Sequence, residues 1–157
     1  MSRLVLLTVG TPPGGNIRDA LMTYVRRMRP PFWELEWQTV AEVAYQRGQE
    51  QQAKAKEAQN LLAKVPTRSL VVLLDVEGTE WDTHDLLGQV RRWRESGRPV
   101  VFVVGGSLGV DASVVERSDV RWSLSRLTFP HGLAQLLVAE QLYRLATLDR
   151  GHPYHKG

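Results

Sequence analysis

Apolar runs and helix-spaced stripes alternate along the whole chain. Leu4 to Val9 is a continuous apolar run closed by Gly10-Thr11-Pro12-Pro13-Gly14-Gly15, which predicts a buried strand followed by a loop. Asn16 stands where it can cap a helix whose apolar stripe is Ile17, Ala20, Leu21, Tyr24, Val25 and Met28. Trp33, Leu35, Trp37 and Thr39 alternate with polar residues, the period of a half-buried strand. Gln46 to Lys64 reads as a largely solvated helix with a thin stripe of Ala58, Leu61, Leu62 and Val65. Leu70 to Leu74 and Val100 to Val104 are two more buried strands. Between them lies a helix capped by Asp82 or Thr83, carrying Leu86, Leu87, Val90 and Trp93 and stopped at Gly97. A short helix, a fifth strand near Val120 to Leu124 and a long closing helix from Pro130 complete the pattern.

Strands of this kind between helices predict an α/β fold, a mainly parallel sheet covered on both faces. In such sheets ligands bind beyond the carboxyl ends of the strands. The loops after Leu74, Val104 and Leu124 are therefore the places to look for a site.

Composition narrows the class without naming it. The chain has 157 residues, 43% hydrophobic and 24% charged, the balance of a single globular domain spanning 1–157. It has no cysteine, which removes disulfides and thiolate metal sites. The N-terminal apolar run is too short for a transmembrane helix and has no signal-peptide cleavage pattern, so a cytoplasmic protein with no membrane partner is expected. A net charge of +3 is compatible with a polyanionic partner. Five tryptophans are either core anchors or stacking surfaces for bases.

Candidate chemistry is thin when each segment is read alone. Gly105-Gly106-Ser107-Leu108-Gly109 allows close backbone approach to a ligand, yet a plain strand-ending turn needs the same glycines. It is neither a dinucleotide fingerprint nor a P-loop. Ser125 and Thr128 offer hydroxyls in a loop that also serves to open the closing helix. Glu140 and Arg144, four apart, form either a structural ion pair or an arginine held ready for a phosphate or base. The four histidines lack the spacing of a metal site, and no serine-hydrolase pattern is present. The tail His152-Pro153-Tyr154-His155-Lys156 is either a frayed end or a segment folded over a site.

Taken together, LLTVGT, LLDVEGTEWDT, VVFVVGGSLGV, WSLSRLTFPHGLAQLLVAEQLYR and HPYHK resemble the ribosomal large-subunit methyltransferase H family, small SPOUT-class (α/β-knotted) enzymes, over essentially the whole chain. The resemblance implies a C-terminal trefoil knot, a homodimer and S-adenosyl-L-methionine as cofactor. Its implied reaction is methylation of N3 of a pseudouridine in 23S rRNA within the ribosome. It places cofactor contacts on Leu74, Gly105, Leu124, Ser125, Arg126, Leu127, Thr128 and Phe129, and favours Arg144, Tyr154 and His155 as catalytic residues. Many relatives carry Gly-Gly-Pro-Glu-Gly where this chain has Gly-Gly-Ser-Leu-Gly, so an acidic group at Leu108 is missing.

The implied chemistry assigns work to these residues. Leu74, Leu124 and Leu127 would pack the adenine. Arg144 would stabilise developing charge or grip a phosphate, and His155 would assist loss of the imide proton. Arg26, Arg27 and Arg29, and Arg91, Arg92 and Arg94, are candidate phosphate contacts or simply solvated helix faces. The competing expectations are a nucleotide-binding protein using Gly105-Gly106 for phosphates, a non-catalytic RNA-binding module, and a SPOUT enzyme with another RNA target.

Overall fold

A computed structural model describes residues 3–155, with His155 described through its backbone alone. Five strands form one parallel sheet in the order β2-β1-β4-β3-β5. They are β1 (Leu4–Val9), β2 (Leu35–Val40), β3 (Leu70–Thr79), β4 (Val100–Val104) and β5 (Val120–Trp122). The helices are α1 (Gly15–Arg27), α2 (Glu50–Lys64), α3 (Thr83–Glu95), α4 (Ala112–Arg117) and α5 (His131–Arg150), and a 3-10 turn, Pro153–His155, ends the described chain.

The continuous apolar strands are buried because both faces of the sheet are covered. Side chains alternate across the sheet, so Leu4, Leu6, Val100, Phe102 and Val104 pack with Leu21 of α1, Val90 and Trp93 of α3, and Val138 and Leu142 of α5. Val5, Leu7, Val101 and Val103 point the other way, onto Ala58 and Leu61 of α2 and Val114 of α4. A run of edge-to-face and tilted rings, Trp81–Trp93–Phe102–Trp122, with centroids 5.9 to 6.1 Å apart, stiffens the first face.

Element ends differ from expectation where local chemistry was ambiguous. Asn16 is no cap: α1 begins one residue earlier, with Gly14 at the N-cap. Asp82, the first of the two alternatives, caps α3, its carboxylate accepting from Asp85 N at 2.8 Å. The second helix begins at Glu50 rather than Gln46, because residues 41–49 form an irregular connection. Glu57, buried within α2, supports that connection by accepting from Val43 N at 2.9 Å. β3 runs on to Thr79 with a register shift between Leu74 and Thr79, both opposite Trp122. β5 stops at Trp122, which leaves Leu124 in the loop that follows.

The tryptophans are anchors rather than open stacking surfaces. Trp33, Trp93 and Trp122 are buried, Trp37 and Trp81 half-buried, and the indoles of Trp33 and Trp37 donate to Asp149 and Thr8 at 3.1 and 3.0 Å. Arg94 also departs from a solvated helix face. It is 8% exposed, its guanidinium lies 4.8 Å from the Trp33 ring centre, and burial pulls its pKa down against the nearby Asp149.

Candidate functional site

The three suspected loops meet at one cavity. It encloses about 470 Å³, within the usual range of roughly 300–1,000 Å³ for small-molecule sites. The end of β3 contributes Leu74 to Glu77, the end of β4 contributes Val104 to Gly106 with Gly109 and Val110, and the loop after β5 contributes Leu124 and Leu127 to Phe129. His131 and Ala134, on the first turn of α5, close the wall. A larger open cleft of about 610 Å³ lies between the 11–15 loop and α1, but its wall is mostly proline, glycine and charged side chains.

The glycine turn is tight for a structural reason. A Cβ at Gly105 would lie 2.6 Å from Val110 Cγ1, and one at Gly106 2.9 Å from Val9 Cγ1. Only glycine lets the strand end pack this closely against Val110 and Val9. Gly106 and Gly109 pair as a small antiparallel bridge, with Gly109 N donating to Gly106 O at 3.0 Å. On the far side of the turn, Glu57 Oε1 is buried without a partner among the described residues.

Of the predicted cofactor residues, Leu74, Gly105, Leu124, Leu127, Thr128 and Phe129 line the cavity. Ser125 and Arg126 do not. Ser125 instead shapes the loop: its Oγ accepts from Leu127 N at 3.0 Å, and its carbonyl accepts from Ser123 Oγ at 2.9 Å. That turn leaves the Leu127 side chain 69% exposed at the cavity rim, an apolar surface that a bound ring would cover.

Charged groups stand around the rim. Asp75 Oδ2 meets Arg121 Nη1 at 3.2 Å, and His131 Nε2 lies 3.2 Å from Glu42 Oε1. These residues were missed by reading motifs: β3 and β5 had to be placed in register before Asp75 and Arg121 could meet. His131 carried a signal, since it belongs to the TFPHG segment between the rim loop and α5.

Arg144 and Tyr154 gather elsewhere. Arg144 Nη2 donates to Glu140 Oε2 at 2.7 Å, and the Tyr154 hydroxyl donates to the same oxygen at 3.0 Å. The guanidinium carbon lies 5.2 Å from the Tyr154 ring centre, and the Tyr143 and Tyr154 rings meet edge-to-face at 4.7 Å. The hydrogen bond it donates to Glu140 holds Arg144 above the ordinary guanidinium pKa. Burial, with the hydroxyl contacts to Tyr24 and Glu140, drives the Tyr154 phenol well above its own. The structural and the functional readings of Glu140–Arg144 thus share one geometry, since the same ion pair presents the arginine. The His155 side chain lies outside the described residues.

The cluster and the cavity are separated within one chain. Ala134 is at the cavity and Arg144 is ten residues further along α5, roughly 15 Å at the helical rise. Neither Arg144 nor Tyr154 contributes to the cavity wall.

A family model described as "predicted SPOUT methyltransferase" matches residues 2–155. The chain belongs to the SPOUT methyltransferase family. Among curated relatives, the ribosomal RNA large subunit methyltransferase H of Anaeromyxobacter sp. is 40% identical over 154 residues, covering 98% of this chain and 99% of the relative. The protein of the same name from Hahella chejuensis is 38% identical with the same coverage. Among solved structures, a probable methylase family protein from Haemophilus influenzae aligns with a TM-score of 0.57 at 13% identity, covering 99% of this chain and 71% of that one, a likeness of fold alone. Among the described residues no group of histidine and acidic side chains could hold a metal ion, and no helix is long and apolar enough to cross a membrane.

Proposed function

We propose that the chain is an S-adenosyl-L-methionine-dependent methyltransferase of the large ribosomal subunit, acting in the cytoplasm on N3 of a pseudouridine in 23S rRNA. The observation that carries this reading is the cavity itself. Three successive strand ends supply a close-approach glycine turn, apolar walls and a hydroxyl-bearing rim, as an adenosine carrying an amino-acid tail requires. The cofactor would supply an activated sulfonium methyl.

In this reading Leu74, Leu124 and Leu127 pack the purine, and the backbone around Gly105 and Thr128 reads its polar edge and the ribose. Phe129 and His131 close the inner wall and keep water out. The imide N3 of pseudouridine is a poor nucleophile while protonated, so charge developing on the ring must be stabilised. Arg144 does this: Glu140 and the Tyr154 ring hold its guanidinium in one orientation. The Tyr154 phenol keeps its proton, because its raised pKa disfavours the phenolate, so it orients rather than accepts. His155 remains the proposed acceptor of the imide proton.

The distance between cluster and cavity supports a homodimer in which α5 and the tail of one protomer reach the cavity of its partner. The C-terminal trefoil knot and a single domain over the whole chain belong to the same reading. Arg26, Arg27 and Arg29 at the end of α1 are exposed and basic, as phosphate contacts need to be.

The test is methyl transfer from labelled S-adenosyl-L-methionine to assembled ribosomes, with nucleoside analysis of the product. Labelled N3-methylpseudouridine from the large-subunit RNA is the expected result. A different labelled nucleoside would keep the cofactor and discard the target. Absence of both cofactor binding and transfer would leave a non-catalytic RNA-binding module.

A further inference from the structure

Tyr24, on α1, belongs to no motif singled out in the sequence, yet it joins the cluster of Glu140, Arg144 and Tyr154 as a fourth member. Its oxygen lies 3.0 Å from the Tyr154 oxygen. A carboxylate only accepts, so the proton of Tyr154 is committed to Glu140 Oε2 at 3.0 Å. Tyr24 must then be the donor between the two hydroxyls. The direction of the whole chain follows: Tyr24 donates to Tyr154, Tyr154 to Glu140, and Arg144 donates to that same carboxylate oxygen.

Ring contacts keep Tyr24 in place for this. Its ring lies 5.7 Å from that of Tyr143 and meets that of Tyr154 edge-on at 6.5 Å. The Arg27 guanidinium sits 5.9 and 5.8 Å from the Tyr24 and Tyr143 ring centres. α1 and the C-terminal turn, 130 residues apart in sequence, are thus joined by one hydroxyl contact flanked by rings.

We propose that Tyr24 is a positioning residue for methyl transfer: by donating to the Tyr154 oxygen it anchors that side chain beside Glu140 and so holds the Arg144 guanidinium in its working orientation. The proposal rests on the methyltransferase reading above, in which Arg144 and Tyr154 act on the substrate. Without the Tyr24 hydroxyl, the Tyr154 oxygen loses its donor and the hydroxyl keeps only its contact with Glu140. The brace on the arginine then loosens while the cofactor cavity, which Tyr24 does not line, stays as it was.

The experiment is a double-mutant cycle with Tyr24→Phe, Tyr154→Phe and both together in the full chain, assayed on assembled ribosomes. Tyr24→Phe is expected to lower kcat by roughly tenfold, the loss of one oriented hydrogen bond, with the S-adenosyl-L-methionine Kd unchanged within about twofold. Because Tyr24 acts through Tyr154, the double variant is expected to be no slower than Tyr154→Phe alone. Multiplying losses, an unchanged kcat, or a loss seen equally in cofactor Kd would each overturn the proposal. A wild-type chain that bound no S-adenosyl-L-methionine would instead bring down the methyltransferase reading, so the two failures are told apart. Thermal melting of each variant separates loss of fold from loss of positioning, and Tyr24→Leu, which also removes the ring, gives the expected contrast of a lowered Tm.

Discussion

The cavity at the strand ends and the side-chain cluster around Glu140 are built on opposite principles. The cavity is made of backbone turns and apolar walls, held by the sheet behind it, and its polar side chains stand mostly at the rim. The cluster consists of directional side-chain contacts, two of them onto one carboxylate oxygen, among half-buried groups. A backbone-built site tolerates substitution of its walls, because each wall residue contributes only area. A side-chain relay does not, because removing one member leaves the others without a partner.

The largest test of that contrast is Arg144→Ala. It removes the proposed charge-stabilising group and leaves the Glu140 carboxylate half-buried without it. Methyl transfer to ribosomes is expected to fall by about 100-fold or more in kcat, the usual scale for losing an electrostatic donor. Calorimetry should find the S-adenosyl-L-methionine Kd within about twofold of wild type. A matching loss in cofactor affinity would mean that the arginine is part of the cofactor site and not separate from it.

Next in size is Gly105→Ala, the substitution to which a backbone-built cavity is most sensitive. The added Cβ would sit 2.6 Å from Val110 Cγ1, so the turn must shift. Overpacking of this kind costs about 1–3 kcal/mol, and the expected result is a weaker cofactor Kd together with a lowered Tm. An unchanged Kd would show that the turn does not approach the cofactor. Leu127→Ser should do less. The side chain is already exposed, so the fold loses nothing and only the area covered by a bound ring is lost. Cofactor affinity is expected to drop by about tenfold or less, with Tm unmoved.

The same contrast explains what the sequence could and could not disclose. Buried parallel strands are written as apolar runs, so β1, β3 and β4 were legible, and with them the three strand ends that form the cavity. Gly105 was legible because a glycine after an apolar run marks close backbone approach. That Ser125 and Arg126 stand outside the cavity wall was not legible, because a motif gives order along the chain, whereas the ST-type turn at Ser125 decides which residues face inward. Glu140 and Arg144 were visible as an i, i+4 pair. Tyr24 was visible only as one apolar position on a helix, since its partner lies 130 residues away and nothing local marks it as polar. Arg94 was misread for a related reason, because its neighbours in sequence are exposed arginines while its partner, Trp33, comes from another segment.

The smallest effect concerns pH, and it sharpens the contrast from the cluster's side alone. The Tyr154 phenol is held above its ordinary value of 10.0, first by burial and then by its hydroxyl contacts with Tyr24 and Glu140. A group whose pKa is raised in the folded chain favours folding while it is protonated. Its contribution is therefore complete below pH 10 and is lost as the pH climbs from there toward the folded value. Tyr154→Phe has no proton to lose, so its melting temperature should fall less steeply than wild type over the alkaline range above pH 10. Below that range the two curves should run parallel, offset by the lost hydrogen bonds. Leu127→Ser, which touches only the cavity rim, should retain the wild-type alkaline slope. If it lost that slope as well, the rim and the cluster would be coupled within one protomer, and the separation drawn between them along α5 would have to be abandoned.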